Sequence, residues 1–171
     1  TQVEEMMKEN PEGYKDFAHS IDRIAVHEGC KKYLKPDREL VRMFNSLKGD
    51  YDLFVLSNGN YEHIVNVLAS LGVDYNIFNP IIDRDELEES NVGPKFKGNV
   101  GPFKYARKKL KRASKRIVYV GDDVGCDAEG KNIGMKTILT WRPKTKKSER
   151  TLVDWETKSI YDVPIAVRKL L

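Results

Sequence analysis

Two short apolar runs constrain this chain more than anything else in it. Tyr51 to Leu56 (YDLFVL) and Arg116 to Val120 (RIVYV) are mostly apolar, and each passes at once into a polar turn and a helically spaced stretch. Strands buried on both faces belong to a parallel sheet covered by helices, so the runs predict a doubly wound α/β sheet with right-handed crossovers.

The segments between the strands agree. Lys35-Pro36-Asp37 opens a helix with Asp37 as N-cap, and Leu40, Val41, Phe44 and Leu47 form its apolar stripe down to Gly49. From the cap Asn60, residues Tyr61, Ile64, Val65, Leu68 and Leu71 recur at steps of three and four, and Gly72 supplies the stop. Pro80 to Ile82 reads as a weaker strand, and Asp83 to Asn99, with Gly93, Pro94 and Gly98, as irregular chain. Val100, Phe103, Ala106 and Leu110 resume helical spacing. A helix is expected from the Asp-rich turn to Gly134, a strand over Met135 to Trp141, a basic loop over Arg142 to Arg150, and a closing strand and helix near Ile160 to Leu171. Before Lys35, the loose spacing of Met6, Met7, Tyr14, Phe17, Ile21 and Ile24 suggests two short helices broken by Pro11 and Gly13.

Size and charge narrow the function classes. A chain of 171 residues, 40% hydrophobic, closes one ordinary core. Its net charge of +4 is dispersed among 30 basic and 26 acidic residues, and no aromatic interleaves the basic face of Arg107, Lys108, Lys109, Lys111 and Arg112, so nucleic acid is not an expected partner. No apolar run reaches the roughly 18 residues of a membrane span, and the first ten residues lack a signal-peptide pattern. The two cysteines, Cys30 and Cys126, have neither metal-knuckle spacing nor disulfide density. A cytoplasmic protein is expected.

In an open parallel sheet the ligand crevice lies beyond the carboxyl ends of the strands. One such end carries Ser57-Asn58-Gly59, where a hydroxyl and free amides suit phosphate oxygens or make an ordinary capped turn. The other carries Asp122 and Asp123, with Asp127 on the next turn. Adjacent carboxylates at a strand end repel each other, which a hard cation such as Mg²⁺ relieves; the alternative is helix capping by Asp123. Lys95, Lys97 and Lys104 are candidates for a cation between these acids and a phosphate.

Taken together, these residues resemble the haloacid dehalogenase (HAD) superfamily of phosphohydrolases. Val55 to Asn60 (VLSNGN) is similar to its second motif, and Val118 to Thr137 (VYVGDDVGCDAEGKNIGMKT) to its fourth. Lys97, with Phe103 and Ala106 at matching offsets, is similar to its third, with Gly98 where Pro is usual. Tyr33 to Asp37 and the closing Asp162-Val163-Pro164 most resemble the pyrimidine 5'-nucleotidase-like subgroup. The resemblance implies a HAD-like core from residue 35 to 171, and a partial small helical cap in residues 1–34. It also implies hydrolysis of a small phosphorylated substrate, such as a nucleoside monophosphate, through an aspartyl-phosphate. Ser57, Asn58 and Lys97 would hold the phosphoryl group, with Ser57 and Lys97 in the catalytic apparatus. Asp122 would bind Mg²⁺, supported by Asp123 or Asp127.

The family's nucleophile motif, Asp-x-Asp-x-Thr on a first strand, does not precede Lys35; Asp83-Arg84-Asp85 lies where the family has a variable loop. In the resembled sheet the missing strand is central, so its absence would leave two apolar edges unpaired. An upstream segment of a longer chain, or a second chain, is expected to fill that place, and the start at Thr1 rather than Met points the same way. The alternative function is a non-catalytic HAD-like module that binds phosphate or a protein. A receiver-like signalling domain is weaker still, since its acid pair follows the first strand.

Overall fold

The computed structural model describes residues 29, 30, 32–95, 98–140 and 152–171. The helices expected before residue 29, the loop over 142–150 and Lys97 lie outside the described residues. Helix α1 (Arg38–Asp50) leads into strand β1 (Leu53–Leu56), helix α2 (Tyr61–Ser70) and strand β2 (Phe78–Ile82). Helices α3 (Arg84–Glu89) and α4 (Gly101–Leu110) precede strand β3 (Val118–Gly121). The one-turn helix α5 (Val124–Asp127), strands β4 (Lys136–Thr140) and β5 (Trp155–Thr157), and helix α6 (Val163–Leu170) complete the order. This is the α/β class expected, with all recorded strand pairs parallel.

The helix starts follow from capping chemistry. Asp37 accepts the Leu40 N–H at 2.9 Å and Asn60 the His63 N–H at 2.8 Å, each satisfying a donor that the first helical turn leaves open. Helix α2 ends at Gly72, which adopts a φ of +77° that a side chain would disfavour. The segment after Asp83 corrects the expectation of irregular chain. Asp83 caps α3 by accepting the Glu86 N–H at 2.9 Å, and Asp followed three residues later by Glu is itself an N-terminal helix signal. Beyond α5 the expected helix becomes a 3-10 segment, Ala128–Ile133, where Gly130 and Asn132 are poor α-formers. The closing strand comes earlier than expected, at Trp155–Thr157, and Ile160–Asp162 is a 3-10 turn.

The strands form two sheets, β1-β2 and β3-β4-β5, rather than one. Two cores nevertheless run across both. One gathers Leu40, Met43 and Leu47 of α1, Val163, Ala166 and Val167 of α6, Phe78 of β2 and Ile138 of β4, with Leu53, Val55, Val118 and Val120 packed against it. The other gathers Leu56, Ile82, Leu87, Phe103, Ala106, Ile117, Tyr119 and Met135, with Phe54 against it. Alternate residues of β1 and β3 thus serve opposite cores, as in a single sheet with helices on both faces.

Between β1 and β3 lies a cavity of about 1330 Å³, lined by both strands. Their N-terminal ends are tied by Arg112 and Asp52, 3.1 Å apart. Near their C-terminal ends the buried Tyr119 hydroxyl donates to the Leu56 carbonyl at 3.1 Å. The two strands therefore point the same way. Among the described residues neither facing edge has a ladder partner.

Farther along, β4 and the approach to β5 are fastened by Asp154, whose carboxylate accepts the Thr137 N–H at 2.8 Å and hydroxyl at 3.1 Å. Burial pushes this carboxyl up, but the Thr137 bonds and the Lys131 ammonium outweigh that and hold it below its ordinary value. A depressed folded pKa gives stability that is full above the ordinary carboxylate value of about 3.9 and is lost as pH falls through the folded value. Asp154→Asn is accordingly expected to unfold at lower urea than the parent at pH 7, with the gap closing below about pH 4. A gap unchanged at pH 3 would remove this role. No helix among the described residues is long and apolar enough to cross a membrane.

Candidate functional site

The carboxyl ends of β1 and β3 are linked by the Tyr119–Leu56 hydrogen bond, and of the polar residues expected there Asn58 and Asp127 meet at one lysine. That lysine is Lys95. Its ammonium lies 2.8 Å from Asp127 Oδ1 and donates to the Tyr119 hydroxyl at 2.5 Å, with only 11% of the lysine side chain exposed. Lys97, preferred on the resemblance, lies outside the described residues, and Lys104 is exposed on α4. The resemblance favours Lys97 through its offsets to Phe103 and Ala106, whereas among the described residues the lysine that meets Asp127 is Lys95, brought there by the loop before α4.

Each sequence candidate has a definite place. Ser57 Oγ accepts the Gly59 N–H at 3.0 Å, forming a tight turn and leaving the hydroxyl proton to donate. The Asn58 side chain turns to the Lys95 backbone, accepting its N–H at 2.8 Å and donating to its carbonyl at 2.9 Å. Asp127 is buried at 7% exposure; besides Lys95 it accepts, through Oδ2, the N–H groups of Asp122 at 3.0 Å and Asp123 at 3.1 Å. Asp123 is exposed and caps α5 by accepting the Gly125 N–H at 2.9 Å, the capping role weighed above. Asp122 is half-buried at the end of β3.

Two residues at the site were not picked out by sequence. Tyr119 and Gly121 are two apart on β3 and so share a face, the one toward Lys95 and Asp127. Burial, and next the Asp127 charge, push the Tyr119 phenol well above its ordinary range, so it stays protonated and serves as both acceptor and donor. Gly121 has a steric role: a Cβ there would lie 2.1 Å from Asp127 Oδ2. The sequence signal was a tyrosine inside an otherwise aliphatic strand, followed at i+2 by glycine.

The fit to a divalent cation is partial. Among the described residues no three His, Cys, Asp or Glu side chains converge on a metal-sized space. Asp127 accepts two backbone N–H groups and Asp123 one, and a Mg²⁺ ion here would be held by Asp122 with Asp123 or Asp127 in support, its remaining places suiting the waters and phosphate oxygens that this cation keeps in its shell.

Asp83 and Asp85 make their recorded bonds elsewhere: Asp83 caps α3 and Asp85 pairs with Arg84 at 3.7 Å. A further Asp-x-Asp, Asp50-Tyr51-Asp52, sits at the opposite, N-terminal end of β1, where its carboxylates face Arg168 and Arg112.

Comparison with known proteins agrees with this geometry. The structure is similar to a HAD phosphatase from Thermococcus onnurineus (20% identity, TM-score 0.62, covering 77% of this chain and 57% of that one). It is also similar to a 2-haloacid dehalogenase from Pseudomonas syringae (19%, 0.66, 93% and 64%) and to YfnB from Bacillus subtilis, solved bound to magnesium (17%, 0.60, 74% and 52%). The chain thus spans between about half and two thirds of those chains. At these identities the likeness is one of fold. No curated protein matches the sequence. The sequence model of haloacid dehalogenase-like hydrolases, however, matches residues 3–130, three quarters of the chain, and with the β1 and β3 ends meeting as described, this chain belongs to the haloacid dehalogenase-like hydrolase family.

Proposed function

We propose that this chain is the greater part of a Mg²⁺-dependent phosphomonoester hydrolase acting on a small substrate such as a nucleoside 5'-monophosphate. The observation that carries the reading is the pair of facing, parallel edges of β1 and β3, without ladder partners among the described residues, with Ser57 and Asp122 directly following their carboxyl ends and the Lys95 ammonium bonded to Tyr119 of β3. A strand from an upstream segment of the same polypeptide, seated between them, would complete both ladders and bring its own C-terminal side chain to Lys95. If that side chain is a carboxylate, the site has a nucleophile.

The chemistry then follows from charge. The carboxylate oxygen attacks phosphorus, the P–O ester bond breaks, and the leaving alkoxide takes a proton from a neighbouring acid; water next cleaves the acyl-phosphate, returning the carboxylate and inorganic phosphate. Lys95 offsets the negative charge of nucleophile and phosphoryl group, and the Ser57 hydroxyl donates to a phosphoryl oxygen. Asp122 would help to hold a Mg²⁺ ion, which when bound would supply further neutralisation of the phosphoryl charge.

Asp83 favours a second reading, a non-catalytic phosphate- or protein-binding module: it is buried and spent on capping, so the Asp-x-Asp it begins offers no attacking group. The test compares this 171-residue chain with the product of the reading frame extended upstream, on a panel of phosphomonoesters with and without Mg²⁺. Turnover is expected in the extended protein only, and only with Mg²⁺. Phosphate binding without turnover in both forms selects the module, and an extended frame lacking an acidic strand end ends the aspartyl-phosphate route.

A further inference from the structure

We propose that Asn58 is a positioning residue for Lys95: its side-chain amide holds the Lys95 backbone so that the ammonium is delivered to the crevice. The proposal rests on the reading of Lys95 as the phosphate-facing cation. Lys95 lies in the loop between α3 and α4, just after Gly93, at φ +66°, and Pro94. No helix or strand supplies partners for its N–H and carbonyl, and both groups need them.

One primary amide satisfies both. Asn58 Oδ1 accepts the Lys95 N–H and Asn58 Nδ2 donates to the Lys95 carbonyl, at 2.8 and 2.9 Å, a two-point pairing between residues 37 apart in sequence. The pairing needs an acceptor and a donor on one planar group. Asp is isosteric but has no donor and would set a carboxylate oxygen against the Lys95 carbonyl; Ala offers neither.

The turn that presents Asn58 is itself anchored. Ser57 N–H donates to the Ile82 carbonyl at 3.0 Å, the Arg84 N–H to the Gly59 carbonyl at 3.1 Å, and Gly59 N–H to Ser57 Oγ. At the far end of the lysine, Asp127 and Tyr119 take two of the three ammonium protons. Lys95 is therefore held at both ends of a four-carbon stem that would otherwise sample many rotamers, and with two acceptors recorded among the described residues a third ammonium proton can serve a ligand. Asn58 thus acts through Lys95, and its side chain is spent before any phosphate arrives.

The experiment has two arms, on the 171-residue chain with Asn58→Ala, Asn58→Asp, Lys95→Met and the double variant Asn58→Ala/Lys95→Met. In the first, lysines are acetylated competitively and quantified by mass spectrometry. Lys95 is expected to be protected in the parent and to react about tenfold faster in both Asn58 variants, as its buried fraction opens, while Lys104 and Lys108 keep their rates. Unchanged Lys95 protection overturns the proposal, as does a rise at all three lysines, which reports general loosening. In the second arm inorganic phosphate is titrated by calorimetry. Asn58→Ala is expected to weaken binding by about five- to tenfold, in the range of one lost hydrogen bond, and to cause no further loss in the Lys95→Met background. Equal losses in both backgrounds overturn it. A parent that binds no phosphate counts against the phosphatase reading, and the acetylation arm still decides the role of Asn58.

Discussion

Asp127→Ala is expected to destabilise the folded chain by about 3–5 kcal/mol, the cost typical of removing one partner from a buried ion pair. The Asp127 and Lys95 side chains are 9% and 11% exposed, so little water is at hand to replace the lost partner. The same change strips the Asp122 and Asp123 N–H groups of the acceptor they share. Urea unfolding followed by circular dichroism measures the loss. Adding Lys95→Met is expected to recover a good part of it, because the remaining uncompensated charge is then gone. A loss below about 1 kcal/mol, the range of an exposed pair, or no recovery in the double variant, would mean that the pair is hydrated in solution.

Gly121→Ala is expected to be nearly as damaging, about 3 kcal/mol, at the upper end of the cost of overpacking. The new methyl would meet Oδ2, Cγ and Cβ of Asp127 at 2.1, 2.3 and 2.5 Å. A flexible side chain could swing away, but this carboxylate is fixed from two sides, by Lys95 through Oδ1 and by two backbone N–H groups through Oδ2. The damage should therefore couple to Asp127: in an Asp127→Ala background most of the Gly121→Ala cost is expected to disappear. Full additivity of the two losses would locate the Gly121 requirement somewhere other than this contact.

The capping residues and the strands were legible because their causes are local. Asp37 and Asn60 cap the helices they precede in sequence, and a residue that caps its own turn needs nothing from the rest of the fold. The helix after Asp83 was legible too, in the Asp-x-x-Glu spacing, but Gly93, Pro94 and Gly98 drew the whole segment toward irregular chain. At the site, the residue types point to two strand ends, yet Lys95 stands only as one of three candidate lysines, and Tyr119 and Gly121 carry no signal strong enough to be singled out. Each of them matters through a partner 6 to 32 residues away, and such pairings are set by crossover geometry, on which local spacing has no hold.

By itself the sequence determined the α/β class and the polar groups that follow each strand end, because hydrophobic period and turn chemistry act over a few residues. It also led to the expectation of a strand between β1 and β3. Only the tertiary structure decided that Asp127 is spent on Lys95 and its own turn, that Asn58 grips a backbone, and that two parallel apolar edges face each other across about 1330 Å³. Burial and hydrogen-bond saturation are properties of the assembled chain: a carboxylate at position 127 takes up the Lys95 ammonium and two backbone N–H groups only when β3 and the loop before α4 close around it.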